Sequence, residues 1–346
     1  MRRPPERGVY DMAKVVGILG ATGVVGQQMM QCLAERDFPV AELVPFASAR
    51  SAGKELDFKG EKVVVREAKE DAFSGIDILL GAADDGTAKR LLPHAVAAGA
   101  VCVDNSHAFR LDKDVPLVIP EINGEDVKWH KGIISNPNCA TIIGLLPLWP
   151  LHKAAGLTRI ICSTYQAASG AGKPGLDELE REMALIAEGK AIEETKPFAY
   201  QLACNLIPQI SSFKEDDYTD EELKMGREGR KICHLPNLRV NCTCVRVPIM
   251  RSHSESITAE FERPITPEEA REILSSAPGI KVTDDPSNLV YPMPLDTSDQ
   301  DLVYVGRIRR DTSAPDGVNA ITLFCCGDQI RKGAATNAVQ IAELLV

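Results

Sequence analysis

The chain has 346 residues, 25% of them charged and 44% hydrophobic, the balance of a globular protein with room for two domains. Its 49 acidic and 39 basic side chains leave a net charge of −10. That argues against a nucleic-acid-binding face or an anionic membrane as partner, and leaves open a local pocket for a small anion. No stretch approaches the roughly 20 apolar residues of a membrane span.

Residues 1–12 read as a flexible leader. Arg2 and Arg3 are followed by Pro4, Pro5 and Glu6 where a signal peptide would have its apolar core, and Met12 is a candidate start. The ten cysteines include no Cys-x-x-Cys pair. Free thiols in a reducing cytoplasm, with no metal site, are therefore expected.

Ordered structure is expected from residue 14. A β-branched strand over 14–19 runs into Gly20-Ala21-Thr22-Gly23-Val24-Val25-Gly26, and a helix follows with Val25, Met29, Cys32 and Leu33 on one side. Strands at 42–47, 76–82, 101–103, 117–119 and 133–134, with a helix over 87–98, continue the alternation. This is the pattern of an α/β domain, a Rossmann-like doubly wound parallel sheet with right-handed crossovers. Beyond residue 139 the strands at 158–166, 239–248 and 256–262 are longer, and helices fall at 176–188, 219–233 and 266–275. A second, α+β domain on a mixed sheet is expected there, and the Ala-rich tail at 333–345 reads as a helix.

The glycine run sits between a strand and a helix, where backbone N–H groups can meet a pyrophosphate. A tight turn without ligand is the competing reading. At the end of the second strand, where an NAD site would place an acidic residue, stand Ser48, Arg50 and Ser51, which suit the extra phosphate of NADP. Cys139 follows Asn136-Pro137-Asn138 and opens a helical stretch. A thiol at a helix N-terminus gains thiolate character, and Asn138 can donate into the same space. An NADP site with an activated cysteine suggests aldehyde or acyl chemistry through a thioester.

From residue 13 onward the chain resembles the aspartate-β-semialdehyde dehydrogenase family. The matching blocks are 20–26, 48–53, Asp104-Asn105-Ser106 with Arg110, Asn136-Pro137-Asn138-Cys139, Gln166 before Ser169-Gly170-Ala171-Gly172, 221–224, Arg246 with His253, and 332–335. The resemblance implies Cys139 as nucleophile, His253 as general acid/base and Gln166 as the group orienting the intermediate. It implies Arg246 on the substrate α-carboxylate, Glu221 on its ammonium, and Arg110, Lys224 and Asn138 on phosphate. Ser169, Gly170 and Gln329 would join Thr22, Val24, Val25 and the glycines around NADP. Residue by residue, a Glu221–Lys224 surface salt bridge and a structural partner for Arg246 are the alternatives. Gln329 and Ser252 depart from the family pattern, which has Asn and Gly there.

The implied reaction is NADP-dependent reductive dephosphorylation of L-aspartyl 4-phosphate to L-aspartate 4-semialdehyde, with release of inorganic phosphate, in lysine (through diaminopimelate), methionine and threonine biosynthesis. The implied assembly is a homodimer. The expected division is an NADP-binding domain at 13–138, with the helix at 330–346 packing back on it, and a catalytic and dimerisation domain at 139–329. N-acetyl-γ-glutamyl-phosphate reductase shares the chemistry and is the nearest alternative; a non-enzymatic NADP-binding protein is the distant one.

Overall fold

The computed structural model describes residues 13–346. The leader and the candidate start at Met12 lie outside the described residues. The chain divides into two compact units, one of residues up to Pro120 with Gly124–Asn136 and Ala335–Val346, the other of Glu121–Asn123 and Pro137–Ala334.

The first unit is built from β1 (Lys14–Leu19), α1 (Val24–Glu35), β2 (Val40–Ala47), β3 (Glu55–Phe58), β4 (Glu61–Val64), β5 (Arg66–Glu67), β6 (Ile78–Gly81), α2 (Asp85–Ala97) and β7 (Val101–Asp104). A one-turn helix α3 (Pro120–Asn123) precedes β8 (Ile133–Ser135). The main sheet has the order β5-β2-β1-β6-β7-β8 and every pair is parallel. Parallel strands covered on both faces need apolar side chains on both, and β1 and β6 supply them: Val16, Ile18 and Leu80 face one core, Leu19 and Leu79 the other.

Two local expectations need correction. Residues 117–119 form no strand, only a single bridge from Leu117 to Ser135. Pro116 and Pro120 lack the N–H groups that would extend the ladder. The β3–β4 hairpin is absent from the sequence-based expectation; its turn residues Lys59 and Gly60 both have positive φ, a turn geometry usually signalled by Asn-Gly.

The second unit contains α4 (Cys139–Ala155), β9 (Leu157–Gln166), α5 (Gly172–Ala187), α6 (Asp220–Ile232), β10 (Arg239–Arg246), β11 (His253–Phe261), α7 (Pro267–Ser275), β12 (Ile280–Val282), the one-turn α8 (Pro294–Thr297), β13 (Val303–Arg310) and β14 (Asn319–Gly327). Its mixed sheet has the order β10-β9-β11-β14-β13-β12. β9 and β10 are parallel, as are β12 and β13, and the remaining neighbours are antiparallel. Strands β12–β14 carry no clean alternation and do not stand out in the sequence.

Register fixes what meets at one end of this sheet. β9 and β10 end in step at Gln166 and Arg246, while β11, running the other way, begins there with His253. α4 packs over β9, β11 and β14. After a π-helical turn at Arg331–Ala335, the chain re-enters the first unit as α9 (Thr336–Glu343), whose Val339 and Ile341 join the core beside α1.

Candidate active site

Asn138 organises the start of α4. Its Oδ1 accepts the N–H groups of Ala140 at 3.0 Å and Thr141 at 3.2 Å, the geometry of an N-cap. Cys139 is the first helical residue and is only partly buried, whereas eight of the ten cysteines are buried and Cys204 is exposed. The Cβ of Cys139 lies against the backbone of Gly333 in the π-helical turn.

Helix α6 holds Asn138 from the side. A capping box between Thr219 and Glu222 starts α6 and aims Glu221 inward. Glu221 Oε1 accepts from Asn138 Nδ2 at 3.0 Å and from Gln166 Nε2 at 3.1 Å; Oε2 accepts from Lys224 Nζ at 2.9 Å. Burial by itself would raise the Glu221 pKa, but the Lys224 ammonium and the hydrogen bonds from Lys224, Asn138 and Gln166 outweigh it and bring it to about 2. Glu221 and Lys224 thus form an ion pair, but a largely buried one aimed at Asn138 and Gln166 rather than a surface bridge. Two turns along the same face, Glu228 Oε2 accepts the backbone N–H of Asn138 at 2.7 Å.

Arg246 is 6% exposed and donates through Nη1 to the Ala167 carbonyl at 2.6 Å, with the Phe198 ring 5.8 Å away. Among the described residues no carboxylate lies within ion-pair distance of it. Burial pushes its pKa down, opposed by the charges of Glu221 and Cys139. A structural acidic partner, the alternative for this residue, is not what the fold supplies.

His253 is fully buried. Its Nδ1 accepts the Ala167 N–H at 3.1 Å, and its Nε2 lies 3.4 Å from Gln166 Nε2. Burial and the Arg246 charge lower its pKa to about 3, with Glu221 pulling the other way. Gly170 is needed beside the ring: a Cβ there would stand 2.7 Å from Arg246 Nη1 and 3.3 Å from His253 Nε2.

The two departures from the family pattern meet each other. Ser252 has φ +78°, the region a glycine favours, and its N–H donates to Gln329 Oε1 at 2.8 Å. Gln329 Nε2 donates to Ser169 Oγ. Gln329 therefore ties the entry to β11 to the 168–171 turn with both ends of its amide.

In the first unit, Gly20 has φ +87° and a Cβ there would come within 2.5 Å of the Ala82 carbonyl oxygen. Its neighbour Gly23 caps α1 without a side chain, and no acidic residue stands in the first turn, so the helix start keeps its N–H groups for a ligand. At the end of β2, Ser48 and Arg50 are exposed and Ser51 is buried. Among the described residues, no carboxylate pairs with Arg50. The glycine turn and the open helix start fit a dinucleotide. Arg110, in the same unit, is buried and donates through Nη2 to the Asn105 carbonyl at 2.9 Å. The sequence-predicted residues thus fall into two sets: Asn138, Cys139, Gln166, Ser169, Gly170, Glu221, Lys224, Arg246, His253 and Gln329 in the second unit, the remainder in the first. Among the described residues no group of three or more His, Cys, Asp and Glu side chains gathers as metal ligands, and no helix is long and apolar enough to cross a membrane.

Residues 15–130 match the family model of the semialdehyde dehydrogenase NAD binding domain, and residues 148–332 that of the semialdehyde dehydrogenase dimerisation domain. The chain is 50% identical over 334 residues to the aspartate-semialdehyde dehydrogenase of Aquifex aeolicus, covering 96% of this chain and 97% of that one. It belongs to the aspartate-semialdehyde dehydrogenase family. The Campylobacter jejuni member is 51% identical over 333 residues, covering 95% and 96% of the two chains. The crystal structure of the Vibrio cholerae aspartate semialdehyde dehydrogenase II complexed with ASA superposes with a TM-score of 0.93 at 43% identity, covering 96% and 98%. A Candida albicans structure with NADP gives 0.75 at 26% identity, covering 96% and 98%. The protein is accordingly an oxidoreductase with a nicotinamide-nucleotide-binding domain of Rossmann type and a second domain on a mixed sheet.

Sequence reasoning overlooks Glu228. The signal is present: it lies seven residues after Glu221, on the same face of an amphipathic helix. A buried glutamate on that face needs a donor, but nothing in the sequence says that the donor is the backbone before Cys139.

Proposed function

We propose that the protein interconverts L-aspartyl 4-phosphate and L-aspartate 4-semialdehyde through a thioester on Cys139, with NADP as coenzyme and inorganic phosphate as co-substrate, in the biosynthesis of lysine, methionine and threonine. It works as a cytoplasmic homodimer. The observation that carries this reading is Arg246: a buried guanidinium lacking a carboxylate partner, at the sheet end that also holds Gln166 and His253. An uncompensated buried cation is costly unless an anionic ligand completes it, and a planar guanidinium suits a carboxylate held in bidentate fashion.

On this reading Cys139 is the nucleophile, favoured as thiolate by its place at the start of α4. Glu221, held ionised by Lys224, faces the substrate ammonium. Gln166 orients the bound acyl group, and His253 attends the reacting carbonyl oxygen. Lys224, Asn138 and Arg110 hold the phosphate. The Gly20–Gly26 loop holds NADP, with Ser48, Arg50 and Ser51 on its extra phosphate; the bound coenzyme supplies the hydride chemistry. Ser169, Gly170 and Gln329 line the nicotinamide end, Gln329 through the bridge that sets the loop. The division into a nucleotide-binding part at 13–138, with the helix at 330–346, and a catalytic and dimerisation part at 139–329 belongs to the same proposal.

The test is a nicotinamide assay with the semialdehyde, with and without phosphate, run beside the reverse assay with aspartyl phosphate and N-acetylglutamyl phosphate. NADPH formation that requires phosphate, and preference for aspartyl phosphate, are expected. Preference for the acetylated substrate would refute the role of Glu221, because that substrate has no ammonium to face it.

A further inference from the structure

The buried face of α5 carries two carboxylates where apolar side chains would be expected. Its inward positions are Gly175, Glu178, Leu179 and Glu182, at the spacing of one helical face. Buried glutamates need donors, and both find them in the chain that follows the helix. Glu182, fully buried, accepts the N–H groups of Leu202 and Ala203 through Oε2 at 2.8 and 2.7 Å. Glu178 Oε1 accepts the Lys196 N–H at 3.2 Å, and Arg181 donates both to Glu178 and to the Glu194 carbonyl. Residues 188–214 form no helix or strand, only isolated bridges. Irregular segments longer than about 15 residues inside a domain are uncommon and usually functional. α5 thus grips, by its backbone, a strap with no regular structure of its own.

The strap covers Arg246. Ile207 donates its N–H to the Arg246 carbonyl at 3.0 Å, and its own carbonyl accepts the Arg246 N–H at 2.9 Å. Phe198 brings its ring centre to 5.8 Å from the guanidinium carbon. Gly175 leaves room for that ring: a Cβ there would stand 3.2 Å from Phe198 Cζ and 2.4 Å from the Ala168 carbonyl oxygen. Leu202, Ala203 and Ile207 pack with Ala168 and Leu179, and Phe198 lies against this cluster. The guanidinium therefore has the Ala167 carbonyl and Gly170 beside it and an aromatic ring as a further neighbour. The ring accepts no conventional hydrogen bond and fills space that water would otherwise take. With water kept away, the pull of the cation on a carboxylate is stronger.

We propose that Phe198 is a specificity-determining residue, which keeps water from the Arg246 guanidinium and so sets the affinity for a substrate carboxylate. Glu182 is a positioning residue that acts through the strap. The proposal rests on the reading of Arg246 as the carboxylate site and deepens it.

Steady-state kinetics with the semialdehyde test the role of the ring. Phe198→Ala should raise KM by roughly 10-fold, with kcat within about 2-fold of the parent chain. Phe198→Leu, which still excludes water, should keep KM within about 3-fold. A Leu variant as poor as Ala would overturn the water-exclusion role. In an Arg246→Ala background, Phe198→Ala should change kcat/KM by less than about 2-fold, because the interaction it supports is already gone. Additive losses would mean that the ring acts elsewhere and would refute the proposal. For Glu182, hydrogen exchange read by mass spectrometry reports on the strap without substrate. Peptides spanning 196–207 should exchange at least roughly 10-fold faster in Glu182→Ala, whereas Glu182→Gln, whose amide oxygen still accepts, should stay close to the parent. KM should rise in Glu182→Ala alongside the faster exchange. Faster exchange with an unchanged KM would leave Glu182 purely structural and sink its positioning role. If Arg246→Lys leaves KM unchanged, the carboxylate reading itself fails; if Arg246→Lys raises KM and Phe198→Ala does not, only this inference fails.

Discussion

On the proposed reading, Arg246 is the residue on which substrate recognition turns. Lys would retain the charge but not the planar fork that matches a carboxylate. Arg246→Lys should raise KM for the semialdehyde by at least roughly 10-fold, a cost of about 1.4 kcal/mol, with a smaller change in kcat. Steady-state kinetics check this, and an unchanged KM would remove Arg246 from the carboxylate site. Two residues beyond His253, Glu255 is fully buried and accepts a weak hydrogen bond from Cys162 Sγ at 3.5 Å. Burial raises its pKa to about 8. A carboxyl whose folded pKa is raised contributes stability that is full below its unfolded value and is lost as pH rises through about 8. Glu255→Gln, neutral throughout, should therefore melt close to the parent chain at low pH and well above it at about pH 9. The parent should lose about 1.4 kcal/mol for each pH step between the unfolded and folded values. Thermal melts across pH decide it: parallel curves would mean that Glu255 is stabilised as an anion.

At the level of elements, the arrangement is two helices meeting at one residue. α6 clasps Asn138 through Glu221 on the side chain and Glu228 on the backbone, and Asn138 in turn caps the helix that begins with Cys139. Removing the Glu228 acceptor leaves a buried N–H unsatisfied, which costs about 1–3 kcal/mol. Glu228→Ala should lower both the melting temperature and kcat, whereas Glu228→Gln, whose amide oxygen still accepts, should recover most of each. If Gln behaves like Ala, the hydrogen bond to Asn138 is not what Glu228 contributes. The elements also show what a sequence reveals. Parallel strands β1, β2, β6 and β7 announce themselves as apolar runs, because both of their faces are covered. Helices with capping residues, such as α6 behind Thr219, are readable to within a residue or two. Strands β12–β14 escape notice because their burial does not alternate cleanly. The bridge at Leu117 is easily overread, because an apolar triplet looks like a strand until its flanking prolines are weighed.

For the whole molecule, the two-part α/β architecture is legible in the sequence, and candidate positions are legible only where a local pattern marks them. Gly20–Gly26, Arg50 and Cys139 declare themselves from local pattern, because each needs a particular backbone setting: a turn, a strand end, a helix start. Arg246, Gln166 and His253 do not. They converge only through the register of three strands, and it is the family resemblance that singles them out. What holds the loop before Cys139 is a tertiary fact with no trace in the order of residues. The whole proposed mechanism depends on one sulfur becoming acylated. That step can be caught by mixing the protein with semialdehyde and NADP in the absence of phosphate, then quenching and mapping peptides by mass spectrometry. The expected result is a burst of one NADPH per active chain together with an aspartyl group on the peptide bearing Cys139, discharged on adding phosphate. No burst, or an acyl group on any other residue, would contradict it.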